Sequence, residues 1–254
     1  MNITDRHQLI LQKLQENGRV DIQELSESLQ VSGVTIRKDL KLLEEKKLLY
    51  RTKGGGSTQN PYTIERPINE KEFIKAEEKK KIARAALALI GQNDSIIIGS
   101  GTTVFELARA LHPTKHLTVI TPALKVALEL CNRPHVDVLQ IGGLIHQSSS
   151  AAAGSFAERL LEDISCGVLF VGVDGIDPEF GLSITNLSEA SLNMKMIGLS
   201  QTVVVMADSS KFDRRGIGRI CSLEQVDYII TDHLVPHEKV RMLTERGVKV
   251  IIAE

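Results

Sequence analysis

Three cations near the start of the chain could bind a phosphate backbone. At about 100° per residue, Arg37, Lys38 and Lys41 lie on the helix face opposite the apolar residues Ile36 and Leu40. A helix N-terminus also favours phosphate, through its free N–H groups and its dipole. This face is typical of a helix that enters the major groove of DNA, but a small protein-interaction module could also carry it as a solvated surface.

A glycine-rich turn later in the chain could bind a single phosphate. The apolar run Ile96–Ile98 leads into Gly99-Ser100-Gly101-Thr102-Thr103, and a predicted helix begins near Val104. Glycines let the backbone approach an anion, while hydroxyl and helix N–H groups donate hydrogen bonds to it. The turn lacks the lysine of a Walker loop and the spacing of a dinucleotide fingerprint, so one phosphate is favoured over a nucleotide. A merely tight turn between strand and helix is the alternative.

Residues at other predicted strand ends could face the same crevice, because ligands in open α/β sheets bind beyond the carboxyl ends of the strands. Gly143 follows one strand, and Asp174-Gly175 follows the next and offers a carboxylate to sugar hydroxyls. Lys211 follows a third strand and offers a cation. Lys195, on a predicted helix, is a further candidate for the ligand. An aspartate after a strand is more often only a turn or cap residue.

The elements that position the N-terminal cations have the order of a helix-turn-helix. Apolar residues at helical spacing predict three short helices, with Asp21 capping the second and Ser32 the third. Residues 48–53 are predicted to form a short strand that carries Arg51 and Lys53. With the glycines that follow, this strand could form a wing along the DNA backbone.

The rest of the chain alternates strand and helix patterns. The predicted strands are Ile96–Ile98, Thr118–Thr121, Val136–Ile141, Val168–Gly172, Val203–Ala207, Tyr228–Thr231 and Val248–Ile252. The predicted helices include Val104–Leu111, Ala123–Cys131, Ser188–Leu199 and Glu238–Arg246. This alternation predicts an α/β fold with a mostly parallel sheet.

A turn-forming stretch that starts at Gly54 separates the two patterns and predicts two domains. We expect a DNA-binding domain over residues 1–57, a linker over 58–75 and an effector domain over 76–254. The charged residues 70–81 are expected to begin a helix that continues into 82–87, with the charges on a solvated face.

The composition excludes several classes of function. The formal net charge of −1 excludes a globally basic nucleic-acid coat, although residues 1–56 carry ten cations against eight acids. With 4% aromatic residues and no Trp, base-stacking surfaces are poorly supplied. The hydrophobic fraction of 42% favours a packed core over disorder.

Nothing in the sequence predicts export or membrane insertion. No apolar run approaches the roughly 20 residues that span a bilayer, and the first residues lack the pattern of a signal peptide. Cys131, Cys166 and Cys221 are far apart and odd in number, which favours free thiols in a reducing cytosol. We therefore expect a cytoplasmic protein without a cofactor, a bound metal or a membrane contact.

The third predicted helix and the residues after it resemble a known DNA-binding motif. Ser32-Gly33-Val34-Thr35-Ile36-Arg37-Lys38-Asp39-Leu40, with Arg51 and Gly54-Gly55-Gly56 following, resembles the winged helix-turn-helix of DeoR-type bacterial transcriptional regulators. Lys38 stands where the family has a second arginine, which keeps the charge but loses bidentate geometry. Lys53 replaces a histidine of the motif. The expected DNA-binding residues are Ser32, Val34, Thr35, Arg37, Lys38, Lys41, Arg51 and Lys53.

Segments of the second half fall in the order of the DeoR effector domain. They are Gly101-Thr102-Thr103, Gly142-Gly143, the segment 170–175, the segment 207–212 and Thr231-Asp232. The resemblance implies a sugar-phosphate sensor on a ribose-phosphate-isomerase-like fold, and homo-oligomers, dimers or tetramers, on repeated or palindromic operators. The expected phosphate-binding residues are Ser100, Gly101, Thr102, Thr103 and Lys211, and the expected sugar-binding residues are Gly143, Asp174, Gly175 and Lys195. Pro122 stands where the family usually has an asparagine, which removes a side-chain amide from the pocket.

These features favour a repressor of a carbohydrate catabolic operon that a phosphorylated sugar releases from its double-stranded operator. The alternative is a sugar-phosphate isomerase, because residues 174–177 resemble an acidic segment of ribose-phosphate isomerases. The glycine-rich and Glu-Lys elements that follow in those enzymes are absent, so we expect no enzyme activity. A sugar-responsive activator is a third reading, since the position of the operator decides between activation and repression.

Overall fold

The computed structural model describes residues 2–46, 48–52, 54–58 and 68–254. Contacts divide the chain into two compact units, Met1–Ile64 and Glu65–Glu254. Among the described residues, the apolar core of the first unit shares no member with the cores of the second. No helix within these ranges is both long and apolar enough to cross a bilayer.

The first unit combines three helices with a small antiparallel sheet. In chain order its elements are α1 (Ile3–Asn17), β1 (Arg19–Asp21), α2 (Ile22–Leu29), α3 (Gly33–Glu45), β2 (Tyr50–Thr52) and β3 (Gly55–Ser57). β3 pairs with both β1 and β2. The helices bury Ile10, Leu14, Leu25 and Ile36, each at most 1% exposed. The predicted winged helix-turn-helix is confirmed, with β1 as a strand that the sequence pattern did not predict.

Local hydrogen bonds explain where these helices begin. The Asp21 carboxylate accepts the N–H groups of Gln23 and Glu24 at 2.7 and 3.3 Å, so it caps α2 as predicted. Ser32 Oγ accepts the Thr35 N–H at 3.2 Å and caps α3. These two side chains therefore fix the residues at which α2 and α3 begin.

The second unit is an α/β domain built on one large sheet. In chain order its helices are α4 (Ile68–Glu72), α5 (Ala76–Leu87), α6 (Thr102–Ala110), α7 (Leu124–Leu130), α8 (Ser155–Arg159), α9 (Leu187–Gly198) and α10 (His237–Glu245). Its strands are β4 (Ser95–Ile98), β5 (Leu117–Thr121), β6 (Val136–Gln140), β7 (Leu144–His146), β8 (Ala151–Ala153), β9 (Cys166–Val171), β10 (Gly175–Asp177), β11 (Gly181–Ile184), β12 (Ser200–Met206), β13 (Gly218–Cys221), β14 (Tyr228–Asp232) and β15 (Lys249–Ala253).

The large sheet has seven strands in the order β15-β14-β12-β9-β4-β5-β6, and its neighbouring strands are parallel. Successive residues of β4 point to different cores: Ile97 packs with α9 residues such as Leu192, while Ile96 and Ile98 pack with α5 residues such as Ile82. All seven predicted strands are confirmed. Smaller antiparallel pairings, β10-β11-β13 and β7-β8, follow the carboxyl ends of the large strands.

The segment that leads into this sheet differs from the expectation. The helix expected to begin at Glu70 and continue through Lys81 is divided, because α4 ends at Glu72 and α5 begins only at Ala76. Residues 68–75, expected to be linker, pack with the second unit. Their lysines form ion pairs with carboxylates at the end of the sheet, which the charge run alone does not reveal.

Candidate functional site

The predicted cations occupy the exposed face of α3. Arg37 and Lys38 are exposed, and the Lys41 ammonium lies 3.9 Å from the Glu45 carboxylate at the surface. Val34, on the same face, is 60% exposed. The exposed face of α3 thus presents its cations to solvent, which a helix that contacts DNA requires.

A buried ion pair fixes the other side of α3. Asp39 is 2% exposed and accepts two hydrogen bonds from the Arg6 guanidinium of α1, at 2.5 and 2.9 Å. His7 Nε2 lies 3.2 Å from the same carboxylate. Burial acts to raise the pKa of Asp39, but Arg6 and His7 lower it more, and the pKa lies below its ordinary value. Nothing in the apolar pattern indicated this contact, which joins α1 to the helix that carries the cations.

The wing is tied to the end of the same helix. The Arg51 N–H donates to Glu44 Oε1 at 2.8 Å, and its guanidinium lies 3.9 Å from Glu44 Oε2. A Cβ on Gly55 would lie 1.7 Å from the Val20 carbonyl oxygen, so β1 and β3 approach too closely for any side chain there. Lys53 lies outside the described residues, and its contact with DNA stays a prediction.

The predicted phosphate turn lies between β4 and α6. Gly101 has a φ of +121°, and a Cβ at this position would meet no atom within 4 Å. Ser100, Thr102 and Thr103 are each 8% exposed, and Ser100 Oγ donates to the Glu189 carboxylate at 3.1 Å. Among the described residues, no side chain caps the first turn of α6. Its N–H groups are therefore available to an anion at this turn.

Asp174, which follows β9, lies among cations. Lys71 Nζ and Lys211 Nζ lie 3.3 and 3.8 Å from Asp174 Oδ1, while the Thr185 N–H and hydroxyl donate to Oδ2 at 3.2 and 2.9 Å. Burial acts to raise the pKa of Asp174, but the lysines and Thr185 lower it more, and the pKa lies below its ordinary value. The structure thus brings two predicted residues, Asp174 and Lys211, together with Lys71.

A second lysine from the same segment reaches two neighbouring strand ends. Lys75 Nζ lies 2.6 Å from Ser209 Oγ, 3.7 Å from Asp208 Oδ1 and 3.6 Å from Asp232 Oδ2. Asp208 follows β12 and Asp232 ends β14. Both carboxylates are nearly fully buried, with 2% and 0% exposure. Ammonium and N–H groups lie against both, as buried polar groups require.

A third lysine, Lys79, is buried beneath these two. It is 4% exposed, and its ammonium donates to the Lys71 carbonyl oxygen at 2.5 Å. Burial lowers the pKa of Lys79 to about 8, with Asp208 acting in the opposite direction. Burial also lowers the pKa of Lys211, against the effects of Asp174 and Asp208. The edge therefore holds cations that are poorly solvated, a state that an added anion would relieve.

The turn and this cluster share one edge of the sheet. The Gly99 N–H donates to the Phe170 carbonyl oxygen at 2.9 Å, which fixes the start of the turn against the end of β9. Asp174 leaves the same strand, and Lys211 follows the adjacent β12. This edge is where an open parallel sheet binds ligands.

Comparison with known proteins identifies both units. Residues 6–61 match the DeoR-like helix-turn-helix domain, and residues 74–233 match the DeoR C terminal sensor domain. The chain belongs to the DeoR family. The predicted DeoR-type regulator is thereby confirmed, and a regulator rather than an enzyme is the family's role.

DeoR-type relatives match almost the whole chain. A putative aga operon transcriptional repressor of Escherichia coli O157:H7 is 34% identical over 251 residues, which cover 98% of this chain and 93% of that protein. The transcriptional repressor CsqR of Escherichia coli K12 is 30% identical, with 98% and 95% covered. Ribose 5 phosphate isomerase A from Neisseria gonorrhoeae has 20% identity and a TM-score of 0.39, over 55% of this chain and 54% of that one.

Three residues predicted to bind sugar in this DeoR sensor domain have other contacts. A Cβ on Gly143 would lie 3.0 Å from the Ala153 carbonyl oxygen, and one on Gly175 would lie 2.3 Å from that of Arg214, so both positions need glycine for packing. Lys195, on α9, pairs with Glu162 at 3.6 Å. Their contact with sugar stays a prediction.

The cluster at the carboxyl ends of the strands also contains residues that the sequence did not single out. Lys71, Lys75 and Lys79 lie in a charge run that resembles a solvated helix face, although their spacing of four placed them on one side.

Asp177, part of the segment that resembles an isomerase, pairs with Arg215 at 2.8 Å and accepts the Phe180 N–H. That carboxylate is held in a turn, which disfavours the isomerase alternative.

Proposed function

We propose that this DeoR-family protein is a cytoplasmic repressor of a carbohydrate catabolic operon, and that a phosphorylated sugar bound by the second unit releases it from DNA. The observation that carries the proposal is the edge of the parallel sheet, where the turn 99–103 adjoins the cluster of Asp174, Lys71 and Lys211. Hydroxyl groups, free helix N–H groups and ammonium groups suit a phosphate, and the carboxylates suit sugar hydroxyls.

Release follows if the ligand favours a conformation that binds operator DNA less well. A phosphate oxyanion would compete with Asp174 for the ammonium groups of Lys71 and Lys211, and so would change the contacts of α4, which follows the first unit in the chain. A ligand shifts the equilibrium only by its differential affinity for the two conformations. Two relatives named as repressors, the putative aga operon repressor and CsqR, support repression over activation.

The DNA side is tested by the salt dependence of operator binding. Lys41→Ala is expected to weaken binding and to reduce the log–log salt slope by about one unit, because one phosphate contact is lost. Lys13→Ala is the matched control, since it removes one cation from α1, where its ammonium donates to Ser28 Oγ, and leaves α3 unchanged. An unchanged affinity and slope for Lys41→Ala would exclude this lysine from the interface.

The ligand side is tested by thermal shift with a panel of pentose and hexose phosphates. A ligand that binds only the native state raises the melting temperature. Thr102→Val is expected to abolish this shift and the release of operator while operator binding persists. Thr118→Val, near the amino end of β5, is the matched control. Equal loss of operator binding in Thr102→Val would indicate misfolding instead. A thermal shift that persists in Thr102→Val would contradict the assignment, as would turnover of the sugar phosphates.

We also propose that the protein is a homo-oligomer. An apolar surface groove is lined by Gly142, Gly143, Phe156, Arg159 and Leu160, and two of its side chains, Phe156 and Leu160, are 68% and 54% exposed. Exposed apolar patches of this kind mark protein interfaces. Phe156→Glu is expected to lower the molar mass measured by light scattering, whereas Phe73→Glu is not. A monomeric wild-type protein would contradict the proposal.

A further inference from the structure

A residue in a left-handed conformation separates α4 from α5. Lys75 has a φ of +53°, and α5 begins at the next residue. A side chain with a Cβ disfavours this conformation, and lysine is otherwise a good helix former. Contacts elsewhere in the folded unit must therefore hold residue 75 in this state.

The Lys75 ammonium makes contacts that can do so. It lies within 2.6 Å of Ser209 Oγ and within 3.7 Å of the carboxylates of Asp208 and Asp232. These partners are themselves fixed, because Asp208 accepts the Ser210 N–H at 2.9 Å and Asp232 accepts the Ser209 N–H at 2.7 Å. The anchor is therefore rigid and belongs to the ends of two neighbouring strands of the large sheet.

The division of the helix is necessary for the contacts of α4. The Lys79 ammonium reaches the Lys71 carbonyl oxygen at 2.5 Å. In one continuous helix these two residues would be separated by about 12 Å along the axis, beyond the reach of a lysine side chain from residue 79. The turn at Lys75 folds α4 back toward α5 and so places the Lys71 ammonium beside Asp174.

We propose that Lys75 is a positioning residue of the sensor site. Its anchor on Asp208, Ser209 and Asp232 keeps residue 75 left-handed, and this turn delivers Lys71 to Asp174. The importance of this arrangement for ligand sensing rests on the proposed function, whereas the arrangement itself is tested without sugar phosphate or DNA.

The test measures how fast Lys71 is acetylated in the full-length protein, by mass spectrometry under limiting reagent. In Lys75→Ala the anchor is lost and residue 75 returns to the right-handed region, which alanine prefers. Lys71 then leaves Asp174, and we expect its acetylation to accelerate several-fold. Lys75→Gly also lacks the anchor, but glycine adopts the left-handed region readily, so its Lys71 rate is expected to stay closer to that of wild type.

Two comparisons make the result specific. Lys195, on α9, provides the internal reference rate, and Lys80→Ala removes an exposed ammonium from α5 and is expected to leave Lys71 unchanged. A wild-type rate in Lys75→Ala would overturn the proposal. So would a rate in Lys75→Gly that equals or exceeds the rate in Lys75→Ala, because this order would mean that the backbone conformation at residue 75 is irrelevant. Absence of any sugar-phosphate response would contradict only the proposed function.

Discussion

At the scale of single residues, Asp39 is a buried charge on the helix that carries the predicted DNA-binding cations. Its carboxylate is held by Arg6 and His7 on the side of α3 that faces the core. Asp39→Asn weakens this ion pair, and we expect the first unit to lose about 3 kcal/mol of stability at neutral pH, the usual cost of breaking a buried pair. Glu45→Gln, at an exposed ion pair on the same helix, is the control and should change stability by less than about 0.5 kcal/mol.

The same residue predicts a pH dependence. Because the pKa of Asp39 is lower in the folded state than in the unfolded chain, its contribution is fully present above the unfolded value of about 4 and is lost as the pH falls through the folded value. The test is hydrogen exchange of the α3 amides, measured from neutral pH down to pH values below the folded-state pKa of Asp39. The difference in protection between wild type and Asp39→Asn should disappear in acid. A constant difference across this range would mean that the carboxylate does not act as an ion.

Lys79 predicts a second rise of stability with pH, in alkaline solution. Its pKa of about 8 lies below the ordinary value of 10.5, so the unfolded chain binds more protons between these two values. Stability therefore rises with pH in this window, by about 3 kcal/mol relative to a variant without the amine. Melting temperatures of wild type and Lys79→Met between pH 7 and the ordinary lysine pKa provide the measurement. Lys80→Met, at an exposed position, should run parallel to wild type, and a parallel course for Lys79→Met would exclude a buried amine.

At the scale of elements, the wing depends on the close approach of two strands. A Cβ on Gly55 would overlap the Val20 carbonyl oxygen, whereas one on Gly54 would only contact the Asp21 carboxylate at 3.4 Å. We expect Gly55→Ala to separate β1 from β3 and to abolish operator binding, while Gly54→Ala retains it. The sugar-phosphate thermal shift of both variants should equal that of wild type. If Gly55→Ala bound operator normally, the pairing of these strands would be wrong.

The elements also show what the sequence could and could not predict. The seven strands of the large sheet were predictable because each is a short buried run rich in Val and Ile, and the caps of α2 and α3 were predictable because Asp21 and Ser32 act locally. The turn at Lys75 was not predictable from local pattern. Its neighbours favour a helix, and the carboxylates that hold it, Asp208 and Asp232, lie more than a hundred residues away in the chain.

At the scale of the whole molecule, sensing requires that two separate units share one equilibrium. The core of the first unit and those of the second have no residue in common among the described ranges, so each can be altered without dismantling the other. Thr102→Val should therefore abolish the response to ligand and retain operator binding. Gly55→Ala should abolish operator binding and retain ligand binding. Coupling between ligand and operator must then come from a free-energy difference between conformations, because the two units share no core.

That free energy is reciprocal, which gives the last prediction. If a sugar phosphate weakens operator binding by a given factor, saturating operator must weaken sugar-phosphate binding by the same factor, roughly 5- to 150-fold in typical regulators. The two factors are measured independently, by operator titration with and without ligand and by calorimetric ligand titration with and without operator. Agreement would place the ligand and the DNA on one two-state equilibrium. A ligand that binds tightly and changes neither titration has equal affinity for both states, and the second unit would then not be a sensor for this operator.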